Sequence, residues 1–273
     1  MAAALVEPLG QHLLVHWSPF VGAGRHSCGN KDDTRAKETR STMLSAHDQV
    51  TSLLHLDSSH SGDSITRRLS ARFADAWRER HGTSGYRYRD LVADPVPPIS
   101  AAYCELGRRV EKNGYVPPAK VDALVEGAAE EREWSLTLPL IEQFLDAGTV
   151  VIGAPMYNFS IPASLKAWID RITFPGAYTD PDTGRSLLHG KRVVVVTARG
   201  GAYGPGTPRE GFDFQEPYLR AYFGNLGVAE DGVSFVNAEM TLADLVPHLA
   251  RFREMAARSL AEAREAVVDL AAR

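Results

Sequence analysis

Four consecutive valines at 193–196 constrain the fold more than any other feature of the chain. They lie inside KRVVVVT (residues 191–197), bounded by Gly190 and Gly200. A strand with one solvated face alternates apolar with polar residues, whereas an unbroken β-branched run is covered on both faces. TVVIGA at 149–154 reads the same way, and SLLHLD at 52–57 is a shorter run of the same kind. YRYRDL at 86–91, closed by the proline-rich DPVPP, and residues 232–236 complete a set of five. Between them run helical periods. Ile65, Leu69, Phe73, Ala76 and Trp77 recur at helical spacing after a Ser/Gly cluster. Residues 138–147, 161–172 and 214–223 also read as helices, and 242–272 as a long Ala-rich closing helix. Residues 101–136 form a long connection, expected to be helical in its second half, with Val121, Leu124, Val125 and Ala128 on one face. Strands alternating with helices imply the α/β class: a doubly wound, five-stranded parallel sheet with helices on both faces. Ligands of such sheets sit at the carboxyl ends of the strands, so the loops there carry the argument.

After the first strand comes SSHSGDSIT, residues 58–66, leading into a helix. It holds neither GxGxxG nor GxxxxGK[ST]. Its hydroxyls and helix-start amides suit a phosphate monoester, favoured further by the helix dipole. A hydroxyl-rich cap and turn is the plainer alternative. After the third strand, PMYNFSIP (155–162) crowds a methionine and two aromatics where polar residues are usual, which suits a stacked planar ring. Packing against a neighbouring loop or subunit is the plainer alternative. After the fourth strand, Gly200 and Gly201 let backbone amides approach a ligand's anionic edge.

These three loops resemble the FMN-dependent NADH azoreductase and quinone reductase family of the flavodoxin-like superfamily. APMYNFSIPASLKAWID (154–170) is similar to that family's flavin-ring loop and following helix. TARGGAYGPGTPREGFDFQEPYLRAYFGNLGV (197–228) resembles its second ring loop and the helix after it. Ser58, followed six residues later by Ser64-Ile65-Thr66, matches the spacing of its phosphate loop. The likeness covers about residues 50–270. It implies that Ser58, Ser64, Ile65 and Thr66 hold the FMN phosphate. Met156, Tyr157, Asn158 and Phe159 would line the isoalloxazine and ribityl chain, with Ala198, Arg199, Gly200 and Gly201 at the pyrimidine end. It implies a homodimer whose two flavin sites are completed across the interface. It also implies ping-pong transfer from NADH or NADPH to quinones and azo compounds. Arg199, as a counter-charge, and Tyr203, as a hydrogen-bond donor, are the candidate catalytic side chains.

The chain departs from the family at Ile65, where glutamine is frequent, and at Ala198, where serine is frequent. It also departs at 174–188, a stretch expected to border the substrate mouth. A flavin reductase that supplies reduced flavin shares the fold and donor. A flavodoxin-type electron carrier would be shorter and strongly acidic, and a ligand-binding sensor would bind nucleotide without turnover.

Composition narrows the classes. A formal net charge of −4 offers no basic footprint for nucleic acid. No apolar run approaches the roughly 20 residues of a membrane span. Cys28 and Cys104 show neither disulfide-framework nor metal spacing, and none of the nine histidines has an HExxH partner, so no metal is expected. A cytoplasmic protein is the expectation. Residues 1–49 are polar, basic and aperiodic at 22–40 and are expected to be a disordered extension, leaving 50–273 as the FMN-binding domain. His55 is expected in the core, His189 at the surface, and Glu130-Glu131-Arg132-Glu133 on a solvated helix face.

Overall fold

The computed structural model describes residues 52–114 and 116–273; the extension expected at 1–49 lies outside the described residues. The elements run β1 (Leu53–Asp57), α1 (Ile65–His81), β2 (Tyr86–Asp90), α2 (Ala101–Lys112), α3 (Ala128–Asp146) and β3 (Thr149–Gly153). They continue with α4 (Ala163–Ile172), β4 (Arg192–Ala198), α5 (Glu216–Asn225), β5 (Val233–Ala238) and α6 (Arg253–Ala271). The five strands form one sheet in the order β2-β1-β3-β4-β5, every pairing parallel. This is the flavodoxin-like order, whose switch point lies between β1 and β3.

The valine run explains the layering. Val193 and Val195 join one apolar cluster, with Val150, Ile152, Leu54 and residues of α2 to α5. Val194 and Val196 join the other, with Val151, Leu53 and residues of α1 and α6. Successive side chains of a strand point to opposite faces, so a strand covered on both must be apolar throughout. The edge strand β2 carries Arg87 and Arg89 and is mostly unburied. Charged side chains on an edge discourage a further strand from pairing there.

Three of the helical expectations change. Residues 101–136 hold two helices and a 3-10 turn rather than one helical second half. Ser100 caps α2, accepting from the Tyr103 amide at 3.3 Å, and Tyr103, Leu106 and Val110 bury its inner face. A 3-10 helix follows at Pro118–Leu124, and Gly127 at φ 87° starts α3 afresh, so Val121 and Ala128 share no helical face. The α3 helix then runs through Pro139 and absorbs the segment read separately at 138–147. The closing helix begins at Arg253, because Pro247 opens a separate 3-10 turn, Pro247–Phe252.

The acidic run is solvated only at Glu131 and Arg132; Glu130 and Glu133 turn inward. Glu130 is buried and receives both Nη1 and Nη2 of Arg109, at 2.6 and 3.0 Å. Arg171, with no exposed surface, reaches Glu133 at 2.7 Å and donates to the carbonyls of Pro97 and Pro98 at 3.0 Å each. Strand β4 starts one residue later than the valine pattern suggests. The Lys191 ammonium turns back over the end of α3, donating to the carbonyls of Phe144 (2.6 Å), Leu145 (3.3 Å) and Ala147. A cation there meets orphan carbonyls and the negative end of the helix dipole. Among the described residues, no helix is long and apolar enough to cross a membrane.

Candidate active site

The loops after β1, β3 and β4 meet at one edge of the sheet. Ser58 follows β1 directly and is fully buried; its amide and its Oγ both donate to the Gly153 carbonyl, at 3.0 and 2.8 Å. Ser64 is the N-cap of α1, and its Oγ lies 2.7 Å from Oγ1 of the buried Thr66. The amides of the first turn have no acceptor inside the helix, and only Arg67 N approaches the cap oxygen, at 3.5 Å. Ile65 is half-buried, so its contribution to an anion site is its backbone. Arg67 ties the loop down. Its Nη2 donates to the Ser59 carbonyl at 2.6 Å, while the guanidinium grips both oxygens of Asp90 at 2.7 and 3.0 Å. That grip holds the Asp90 carboxyl down at about 2.

Beneath the loop lies a buried polar cluster. Asp57 accepts from Ser70 Oγ at 2.9 Å and from the Tyr88 hydroxyl at 3.1 Å, with His55 Nε2 at 3.5 Å. His55 Nδ1 in turn lies 3.0 Å from the Tyr86 hydroxyl. The cluster is possible because residue 153 is a glycine. Any Cβ there would collide with the Asp57 carboxylate.

The loop after β3 is a tight hairpin. Tyr157 and Ser160 exchange both backbone hydrogen bonds at 3.0 Å, enclosing Asn158 at φ 49° and Phe159 at φ 70°. Two successive positive φ values are the signature of a type I′ turn. Asn tolerates that region; a bulky aromatic rarely enters it. The hairpin is fixed on three sides. Met156 N donates to the Ala198 carbonyl at 3.0 Å, Phe214 N to the Phe159 carbonyl at 3.0 Å, and His60 N to the Tyr157 hydroxyl at 3.3 Å. The phosphate-type loop and both ring-type loops are therefore in direct contact. Met156 is half-buried, while Tyr157, Asn158 and Phe159 are exposed.

The loop after β4 has reasons of its own. A Cβ at Gly200 would lie 2.6 Å from Leu242 Cδ1, so packing favours a glycine there, while one at Gly201 would lie 3.2 Å from the flexible stem of Arg209, a lesser conflict. Arg199 is buried, its guanidinium 2.9 Å from Asp213, 3.6 Å from Glu216 and 3.7 Å from Glu239. Its positive charge is therefore taken up by carboxylates of the protein. Tyr203 donates its amide to Glu239 at 3.1 Å, and its hydroxyl accepts from Arg209 at 3.0 Å.

Sequence reading missed two residues here. Asp213 Oδ1 accepts from the amides of Gln215 (2.9 Å) and Glu216 (3.0 Å), capping α5. Gln215 donates from Nε2 to the carbonyls of Ala154 (3.1 Å) and Pro155 (3.3 Å), and its buried Oε1 has no partner among the described residues. Asp213-x-x-Glu216 followed by Pro217 is a helix-start signal that could have flagged the first. Nothing local marks the second. In the stretch at 174–188, Phe174 and Tyr178 turn inward, Phe174 to within 4.8 Å of Trp134 and Tyr178 to 5.5 Å of Phe144, ring to ring.

The profile of a family described as having a flavodoxin-like fold matches residues 51–260. Among curated proteins, an FMN-dependent NADH:quinone oxidoreductase of Nocardia farcinica (strain IFM 10152) is 44% identical over 211 residues, covering 77% of this chain and 93% of that protein. FMN-dependent NADH:quinone oxidoreductase 1 of Xanthomonas euvesicatoria pv. vesicatoria (strain 85-10) is 42% identical over 221 residues, covering 80% and 98%. Among solved structures, an azoreductase from Bacillus anthracis str. Sterne superposes with a TM-score of 0.64 at 20% identity, covering 81% of this chain and 98% of that one. At that identity the superposition speaks for the fold alone. With fold, strand-end loops and sequence in agreement, the chain belongs to the FMN-dependent NADH:quinone oxidoreductase family, built on the flavodoxin-like fold.

Proposed function

We propose that the chain is an FMN-dependent oxidoreductase that passes electrons from NADH or NADPH to quinones and azo compounds, donor and acceptor using one site in turn. The observation that carries this reading is the direct contact of the three strand-end loops. A helix start rich in buried hydroxyls adjoins an aromatic hairpin and a glycine pair on one sheet edge. The names of the relatives supply the chemistry. When bound, FMN supplies two-electron hydride chemistry, and the protein contributes position and electrostatics.

The residues present fit that cofactor. Ser64 and Thr66 with the Ile65 and Thr66 amides would hold a phosphate monoester; Ser58, expected from sequence to join them, instead gives both its amide and its hydroxyl to the Gly153 carbonyl and fixes the start of the loop. The hydroxyls of Ser64 and Thr66 share one hydrogen bond, which leaves one of their protons to donate outward. Met156 to Phe159 would flank the planar ring, and the unpartnered Gln215 Oε1 is an acceptor at the base of the same loop. Ala198, Gly200 and Gly201 would bring backbone to the ring's polar edge. Arg199, held by three carboxylates, serves by fixing that loop to the start of α5. Tyr203 keeps its own proton available, since its oxygen accepts from Arg209. The exposed rings of Tyr157, Phe159, Phe212 and Phe214 are the face a second copy of the chain would cover in a homodimer. A cytoplasmic location accords with two cysteines and no disulfide framework.

Purified protein, dialysed extensively, should keep a yellow flavin spectrum and oxidise NADH or NADPH rapidly when menadione is added. A colourless protein that turns over only with added free flavin would favour a flavin reductase. Flavin retained without turnover would leave a carrier or sensor and sink the enzyme reading.

A further inference from the structure

The cations around the site fall into two kinds. Arg67 is committed to Asp90, and Arg199 to Asp213, Glu216 and Glu239. Arg209 is not. It is exposed, no carboxylate among the described residues pairs with it, and only its Nη1 is engaged, on the Tyr203 hydroxyl at 3.0 Å. The guanidinium lies on two rings, 5.9 Å from the centroid of Phe159 and 5.7 Å from that of Tyr203. Its stem meets Gly201, where a Cβ would come within 3.2 Å of Arg209 Cδ. Stacking on an aromatic face orients a guanidinium without consuming its charge or its remaining donors. A free cation at the junction of both ring-type loops, held by two rings and one hydroxyl, is built to meet an oxyanion.

We propose that Arg209 is a substrate-recognition residue for an oxyanion, a phosphoryl or sulfonyl group, carried by the planar molecule that enters this site. The inference rests on the oxidoreductase reading above and adds its charge preference. Two sources share the chemistry: the pyrophosphate of the nicotinamide donor and an acidic group on the acceptor. Planar fork geometry suits bidentate contact with such groups.

The test compares wild type with R209M, which keeps a flexible apolar stem on the rings but removes the charge, and with R209K. Donors are NADH and the uncharged 1-benzyl-1,4-dihydronicotinamide; acceptors are menadione and 1,2-naphthoquinone-4-sulfonate. In R209M, kcat/KM for at least one charged substrate should fall about tenfold further than for its uncharged counterpart, the scale of losing one charge-assisted hydrogen bond at an exposed site. The arm that shows the gap identifies the source. Added salt should weaken that substrate in wild type more than in R209M, and R209K should restore part of the loss. Equal losses for charged and uncharged substrates on both arms would overturn the inference. So would R209M protein purified without its flavin, because Arg209 would then be holding the loops rather than the substrate. A wild-type enzyme that fails to oxidise NADH would overturn the functional reading first, which keeps the two failures distinct.

Discussion

A methyl group added at Gly153 would run into the Asp57 carboxylate beside it in the sheet and come within 3.1 Å of the Ser70 hydroxyl. Gly153→Ala therefore has two costs. Forcing a methyl into a packed interior costs about 1–3 kcal/mol. Pushing Asp57 aside also loosens its hydrogen bonds from Ser70 at 2.9 Å and Tyr88 at 3.1 Å, each worth about 1.5–3 kcal/mol when the acceptor is charged. Tyr88 is 49% exposed and water can take its place, so the Ser70 bond is the one that counts. Together these give a loss of about 2.5–6 kcal/mol, or a fall in Tm of about 5–24 °C for a domain of this size. Urea unfolding with an unchanged slope, alongside calorimetry, measures it. The effect should reach the cofactor too, because the Gly153 carbonyl receives both the amide and the hydroxyl of Ser58. In an Asp57→Ala background the obstructing carboxylate is gone, and the same substitution should cost less than about 1 kcal/mol. A cost below about 1 kcal/mol in the wild-type background, or an undiminished cost in the double mutant, would refute the assignment of the clash.

Three further outcomes are expected. Ser64→Ala combined with Thr66→Ala should weaken FMN retention by about 1.5–3 kcal/mol for each hydrogen bond lost to the phosphate; equilibrium dialysis reads it, and unchanged occupancy would mean that the loop holds something else. The Asp90 carboxyl, held at about 2 by Arg67 against its ordinary 3.8, adds stability that is complete above pH 4 and lost as pH falls through 2. That amounts to about 2 kcal/mol, roughly half of it gone by pH 3. Urea midpoints at pH 5 and pH 3 should converge between wild type and Asp90→Asn, and a constant gap would count against the clamp. Arg171→Leu should cost about 3–5 kcal/mol, because it strands the Glu133 carboxylate and two proline carbonyls; thermal unfolding checks it, and a loss under about 1 kcal/mol would show that water or a neighbour replaces the arginine.

The five strands and the doubly wound parallel class were legible because a buried strand announces itself by local chemistry. Val193 to Val196 can only be buried on both faces, and such a strand can only be central. The cap-and-turn alternative after the first strand was legible for a similar reason, since Ser64 caps α1 through its own backbone neighbourhood. What escaped depends on partners distant in the chain. Glu130 and Glu133 look solvated until Arg109 and Arg171 arrive, 21 and 38 residues away. Arg199 sits where a flavin counter-charge would be useful, yet Glu239, just after β5, and Asp213, just before α5, reach it first. The break between Val125 and Ala128 turned on Gly127 adopting φ 87°, which a periodicity count over apolar residues does not register. Gln215 lies in the chain 60 residues from the Pro155 carbonyl it meets, and no spacing rule links them.

Phe159, in its left-handed conformation, bears on how this protein can change by mutation. A residue forced into that region stores about 1–3 kcal/mol, and the energy comes from the folded scaffold around it. The hairpin is thus preorganised: its ordering cost is met when the chain folds and is not levied on each substrate that arrives. Glycine at 159 would relieve the strain and raise the melting temperature, while deleting the ring that packs at 6.3 Å from Tyr203 and 5.5 Å from Phe212. On the reading proposed above, stability and the ring that would flank the flavin therefore pull in opposite directions at this one position.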